Sequence, residues 1–148
     1  MNPVKIWWLS CRAYKKRMPI VAKLLKTLNF VIFKAILPYQ AEIERDVVLE
    51  HYGLATVIHP NVRIGHRVRI FHHVTLAAET YLGSEFKINV EDDVVIGAGA
   101  IVVARPNTNL TIGKGARIGA GAVVTRDVAA GDTVIGIPAR SVQTRAGV

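Results

Sequence analysis

The chain has a single cysteine, Cys11, so it cannot close an internal disulfide, and a reducing, cytoplasmic setting is the expectation. No nucleophilic constellation is recognisable around Cys11, which leaves it the role of a small apolar residue. Acidic residues are absent from positions 1–41, where eight basic ones stand: Lys5, Arg12, Lys15, Lys16, Arg17, Lys23, Lys26 and Lys34. Residues 42–148 balance eleven basic against eleven acidic side chains, so the whole formal charge of +8 belongs to the N-terminal segment. Long apolar runs are lacking as well. Basic residues interrupt each one and no cleavage-like site follows, which speaks against a signal peptide, and Lys34 breaks a stretch already too short to span a bilayer. The basic segment carries no nucleic-acid motif, so nucleic acid is not an expected partner.

What is present fits a globular protein, with 51% hydrophobic and 20% charged residues over a length that allows one domain and an appendage. Residues 4–37 read as helix, punctuated by Pro19 and Pro38. Ile20, Val21, Leu24, Leu25, Leu28, Val31, Ile32 and Ile36 recur at helical spacing, with Lys23, Lys26 and Lys34 between them. Two readings of residues 1–37 stand side by side. One is a helical pair packed on the following domain and on neighbouring subunits. The other is peripheral contact with the inner, anionic face of a membrane, with Trp7 and Trp8 at the interface.

From Ile43 onward the dominant signal is a six-residue period. Aliphatic residues open its units at Ile58, Ile64, Ile70 and Leu76, at Val90, Ile96 and Val102, and at Ile112, Ile118 and Val124; looser units begin at Ile43 and Leu49. Fifth positions are small or β-branched: Val62, Val68, Val74, Val94, Ala100, Ala116, Ala122 and Val128. Neither a helix nor an alternating strand has this period; it suits one side of a parallel β-solenoid, in which like side chains stack from coil to coil. The fold expected is mainly β, a parallel β-helix of about four coils over residues 41–148 with a C-terminal cap, preceded by a short α-helical segment over 1–40. So thin a column buries little per residue, and lateral association is expected. The frame breaks after Leu49, Leu76 and Val102, so loops are expected at 78–89 and 104–111.

These frames, the run from His51 through Tyr52, Gly53, Leu54, Ala55, Thr56, Val57, Ile58 and His59 to Pro60, and the step Val74-Thr75-Leu76 resemble a known family. So do Ile96-Gly97-Ala98-Gly99-Ala100, Ile118-Gly119-Ala120-Gly121-Ala122 and Gly136-Ile137-Pro138-Ala139-Arg140. The family is that of the left-handed β-helix acyltransferases, and within it the likeness is to serine acetyltransferases and the related enzymes that acetylate sugars. The resemblance implies a left-handed coil, a homotrimer, acetyl-coenzyme A as donor and active sites between neighbouring subunits. It places His51 on the catalytic histidine, preceded by Glu50 where serine acetyltransferases carry aspartate. It also implies that Ala98, Gly99, Ala120 and Gly121 receive the pantetheine arm.

Two departures stand out. Lys87 falls where the branch has its second histidine, and Ile36-Leu37-Pro38 replaces the stretch holding the aspartate that orients the catalytic one.

Acetyl transfer to a hydroxyl needs a base and donors for the developing oxyanion. Histidine suits the first task at neutral pH, so His51 is the expected general base, with Glu50 positioning the imidazole or the acceptor. Lys114, Arg126 and Arg140 are candidates for the coenzyme's phosphates, and His72, His73 and Lys87 for the acceptor pocket. The departures point to a hydroxyl of a sugar or polysaccharide intermediate as acceptor. The alternatives are L-serine, a zinc-dependent carbonic-anhydrase-like trimer, and a non-catalytic scaffold. His59, His66, His72 and His73 invite the zinc reading, but His66 and His72 recur at the same place in successive units and so face different sides of a prism; no metal is expected.

Overall fold

A computed structural model describes residues 2–142; the last six residues of the domain expected over 41–148 lie outside the described residues. The N-terminal segment is a helical hairpin, α1 (Pro3–Lys15) and α2 (Pro19–Phe33). Each helix begins with proline in its first turn, where the missing N–H costs no hydrogen bond. Asn2 caps α1 by accepting the Val4 N–H at 2.9 Å. The helix expected to run to residue 37 stops earlier. Lys34 turns left-handed (φ 56°), and Ile36 already pairs in parallel with Val57. Residues 34–37 are therefore the entry to the solenoid.

Beyond them the chain winds around three parallel sheets. Sheet I contains β1 (Glu42–Ile43), β4 (Val62–Ile64), β7 (Ile88–Val90) and β10 (Leu110–Ile112). Sheet II contains β2 (Val48–Leu49), β5 (Arg69–Ile70), β8 (Val95–Ile96), β11 (Arg117–Ile118) and β13 (Thr133–Ile135), with β14 (Arg140–Ser141) antiparallel at its end. Sheet III contains β3 (Val57–Ile58), β6 (Thr75–Ala78), β9 (Ile101–Ala104) and β12 (Val123–Val124). Inward residues pair with their own kind: Leu49, Ile70, Ile96, Ile118 and Val134 form one column, and Ile58, Leu76, Val102 and Val124 another. All of these are buried. Truncating one of them to alanine costs about 2–5 kcal/mol, because neighbouring coils cannot collapse into the gap.

The hairpin shares this core. Val4, Trp7 and Cys11 of α1 join the same apolar cluster as the coils, and the Trp7 indole N–H donates to the Pro38 carbonyl at 2.8 Å. Burial pushes the Cys11 thiol up to about 12. Trp8 is half-buried beside the Arg12 and Arg45 guanidiniums. Trp7 is therefore not placed as an interfacial anchor, contrary to that part of the membrane expectation. α2 rests on α1, where Asn29 donates to the Pro3 carbonyl at 3.0 Å. Among the described residues no helix is long and apolar enough to cross a membrane.

Candidate active site

The three sheets define three edges, and the expected site residues divide among them. The edge between sheets II and III carries residues 50–56, 71–74, 97–100 and 119–122, one above another. His51 lies there, after β2, with Tyr52 beside it; both adopt left-handed backbone (φ 51° and 59°). The Gly99 N–H donates to the His72 carbonyl at 3.0 Å and the Gly121 N–H to the Ala98 carbonyl at 2.9 Å. The structure thus brings His51, His72, His73, Ala98, Gly99, Ala120 and Gly121 into one column.

The imidazoles touch. His51 and His72 meet edge to face, with centroids 4.9 Å apart and planes at 88°, and His73 lies 5.4 Å beyond His72. The buried Nδ1 of His72 has no partner among the described residues. His51 is exposed, beside a cleft of about 370 Å³ that Val4, Val48, Leu49 and Tyr52 also line. An exposed imidazole with a rigid neighbour can accept a proton from a bound hydroxyl.

Glu50 is held elsewhere. Its Oε1 accepts from Arg69 Nε at 2.9 Å and Nη2 at 2.6 Å. Among the described residues it bonds to this guanidinium rather than to the imidazole. Where the branch's orienting aspartate would lie, Leu37 is buried and the Pro38 carbonyl is taken by Trp7.

Two neighbours of the site escaped the sequence reading. Arg69 pairs with a residue 19 positions away, and its outward place on β5 was the only signal. Phe33, the last residue of α2, stacks on Tyr52 with centroids 5.9 Å apart and thereby braces the strained turn.

The remaining candidates lie apart from His51 within one chain. Lys87 stands on the edge between sheets III and I, at the end of the loop 79–87, where its ammonium is paired with Glu42 and holds that carboxyl below its usual range. Arg126 occupies the same edge, beside the loop 105–109. Lys114 is on the edge between sheets I and II, its backbone N–H donating to Glu91 at 2.7 Å. Arg140 is on β14, at the end of sheet II. His59, His66 and His72 occupy three different edges, and among the described residues no cluster of histidine, cysteine and carboxylate ligands could hold a metal ion.

A coiled prism with a histidine column under glycine turns has the architecture of the left-handed β-helix acyltransferases. No family model matches the chain. Its relatives are specific, however. It is 33% identical over 135 residues to the serine acetyltransferase of Synechococcus elongatus, an alignment covering 91% of this chain and 53% of that protein. It is 32% identical over 134 residues to the serine acetyltransferase of Helicobacter pylori, covering 90% and 75%. Soybean serine acetyltransferase complexed with serine superposes with a TM-score of 0.84 at 30% identity, over 95% of this chain and 56% of that one. Serine acetyltransferase of Brucella abortus in complex with coenzyme A superposes with a TM-score of 0.83 at 26% identity, over 94% and 54%. The chain belongs to the serine acetyltransferase family. It spans about half the length of the Synechococcus protein.

The expectation of a sugar or polysaccharide acceptor is overturned by these likenesses, which are to serine acetyltransferases in sequence and in structure. The departures at Lys87 and at 36–38 are local, whereas the likeness runs through nearly the whole chain.

Proposed function

We propose that the chain transfers the acetyl group of acetyl-coenzyme A to the hydroxyl of L-serine. The observation that carries this reading is the single column holding His51, His72 and the Gly99 and Gly121 turns, in a fold shared with neighbours solved with serine and with coenzyme A. In this reading His51 takes the hydroxyl proton as the oxygen attacks the thioester carbonyl. The carbon–sulfur bond then breaks, and the imidazolium returns the proton to the departing thiolate, leaving O-acetylserine and free coenzyme A. His72, edge-on against His51, keeps the base's ring in place. Glu50, fixed by Arg69, is set to meet the acceptor rather than the imidazole. The arm of the coenzyme lies along Ala98, Gly99, Ala120 and Gly121.

A homotrimer completes the site. Of the outward columns, Glu42–Arg63–Asn89–Thr111 on sheet I is polar and Val48–Arg69–Val95–Arg117–Thr133 on sheet II is mixed. Sheet III presents Ile36–Val57–Thr75–Ile101–Val123, largely apolar and partly exposed. The opposite edge is ionic, with Arg67 on Asp93 at 2.6 Å and His66 on Asp46 at 3.1 Å. Sheet III therefore faces the threefold axis and the ionic edge faces water. Such a cyclic interface is heterologous, so the His51 edge of one subunit meets the Lys87 and Arg126 edge of the next. That geometry would bring Lys87 to the acceptor and Arg126 to the coenzyme's phosphates, and it leaves Lys114 outside. The peripheral membrane contact expected of residues 1–37 narrows to one face of α2 and does not depend on the acetyl transfer.

The test is thiol release from acetyl-coenzyme A with L-serine as acceptor. His51→Ala should lower turnover by about two to four orders of magnitude while the trimer and coenzyme binding persist. Absence of serine-dependent thiol release from a folded trimer that binds acetyl-coenzyme A would refute the reading.

A further inference from the structure

α2 presents an apolar face that no described residue covers. Ile20, Leu24, Leu28 and Val31 follow one another at helical spacing along it, with exposures of 75, 65, 42 and 57%. Val21 and Ile32 widen the stripe on one side, at 38 and 43%. The opposite side of the helix rests on α1 through the fully buried Ala22 and Asn29. So many large aliphatic side chains in one exposed row call for a cover, because isolated apolar residues are ordinary on a surface but a contiguous row is not.

The charges around the row say what kind of cover. Lys16 and Arg17 form the turn before the helix, Lys23 flanks the stripe and Lys34 closes the helix; all four are exposed. Every charged side chain of the hairpin is basic. We propose that this face of α2 lies on an anionic lipid bilayer, its aliphatic row reaching the upper acyl chains and its lysines the headgroup phosphates. A second copy is a poorer cover, since packing the same face on itself would set two basic rims against each other. Insertion across the bilayer is not in question for a helix of 15 residues. Trp7 takes no part, being sealed in the core, and the contact is an aliphatic and lysine one.

Co-sedimentation of the full chain with vesicles tests this without reference to catalysis. Vesicles of equal parts phosphatidylcholine and phosphatidylglycerol should pellet the protein, and phosphatidylcholine alone should not. Binding should weaken as salt is raised and fall about fivefold for each of Lys16→Gln and Lys23→Gln. Leu24→Glu should abolish it while leaving circular dichroism, oligomeric mass and serine-dependent thiol release unchanged, because Leu24 touches neither the core nor the site. No partition onto anionic vesicles, or equal partition onto phosphatidylcholine alone, overturns the proposal. A Leu24→Glu variant that still pellets with anionic vesicles but changes oligomeric mass overturns it too, and assigns the face to another protein copy.

Discussion

Gly97 and Gly99 sit two residues apart on one corner, yet different forces hold them to glycine. A Cβ on Gly97 would stand 2.6 Å from the Ala120 backbone nitrogen in the next coil, so the coils could stack only by moving apart. A Cβ on Gly99 would meet nothing within 4 Å and would project into the open groove proposed for the coenzyme; its cost to folding is the left-handed backbone (φ 69°). Gly97→Ala is therefore expected to be a stability mutant, losing about 1–3 kcal/mol or more. Gly99→Ala should lose about 1–2 kcal/mol through backbone strain and, in addition, raise the KM for acetyl-coenzyme A. Denaturant melts and steady-state kinetics on both variants separate the two effects. A Gly99→Ala protein with unchanged KM would remove the coenzyme from this corner.

At the scale of the element, the loop 79–87 is pinned rather than loose. Asn61 Nδ2 donates to the Tyr81 carbonyl at 3.0 Å and to Ser84 Oγ at 2.9 Å, while Asn61 Oδ1 accepts the Gly83 N–H at 3.2 Å. Asn61 and Ser84 are both buried. The Asn61 backbone N–H in turn donates to Nδ1 of His59 at 3.0 Å, which requires an unprotonated nitrogen there. Burial holds His59 below its ordinary value of 6.5, so the unfolded chain takes up the proton first as pH falls. Stability from this group is thus full above about pH 6.5 and is lost as pH drops from there through the folded-state value. The Lys87 ammonium lowers the Glu42 carboxyl, which adds a loss of the same sign at more acid pH. Protection factors for hydrogen exchange in 79–87 should fall and the melting temperature decline on acidification, with the first part of the decline absent in His59→Asn. Protection factors that stay flat with pH would show that His59 does not govern the loop.

The six-residue frame made this element legible as an interruption, because every aliphatic opening position must return to the core. It could not show how the interruption is tied down, since Asn61 meets Ser84 across 23 residues of sequence. The Glu50–Arg69 pair was hidden for the same reason. The apolar spacing runs past the end of α2 because Lys34, a residue without the usual signal of glycine or asparagine, takes the left-handed cap. A sugar acceptor does not follow from the departures at Lys87 and 36–38, because these are local and the likeness to serine acetyltransferases is distributed through the whole repeat.

For the whole molecule, assembly turns on which side of the prism is dry. Sheet III lies opposite the ionic edge, so a trimer packed on it buries Val57 and Ile101 and leaves the Arg67–Asp93 pair in water. Introducing charge at the centre of that side, as Val57→Asp with Ile101→Asp, places two carboxylates outward where they do not disturb the coil interior. The double variant should sediment near the monomer mass of 16.2 kDa, keep its β-sheet circular dichroism and lose serine-dependent turnover. Mixing supplies the sharper test. A trimer is expected to join His51 of one subunit to Lys87 of the next, so coexpressed His51→Ala and Lys87→Ala chains should regain activity that neither has alone. A boundary of mixed chains can carry both intact residues, whereas a boundary of like chains always lacks one. Full activity in the monomeric double variant, or no recovery in mixed trimers, would mean that each chain works from its own His51 edge alone and that the apolar side has another partner.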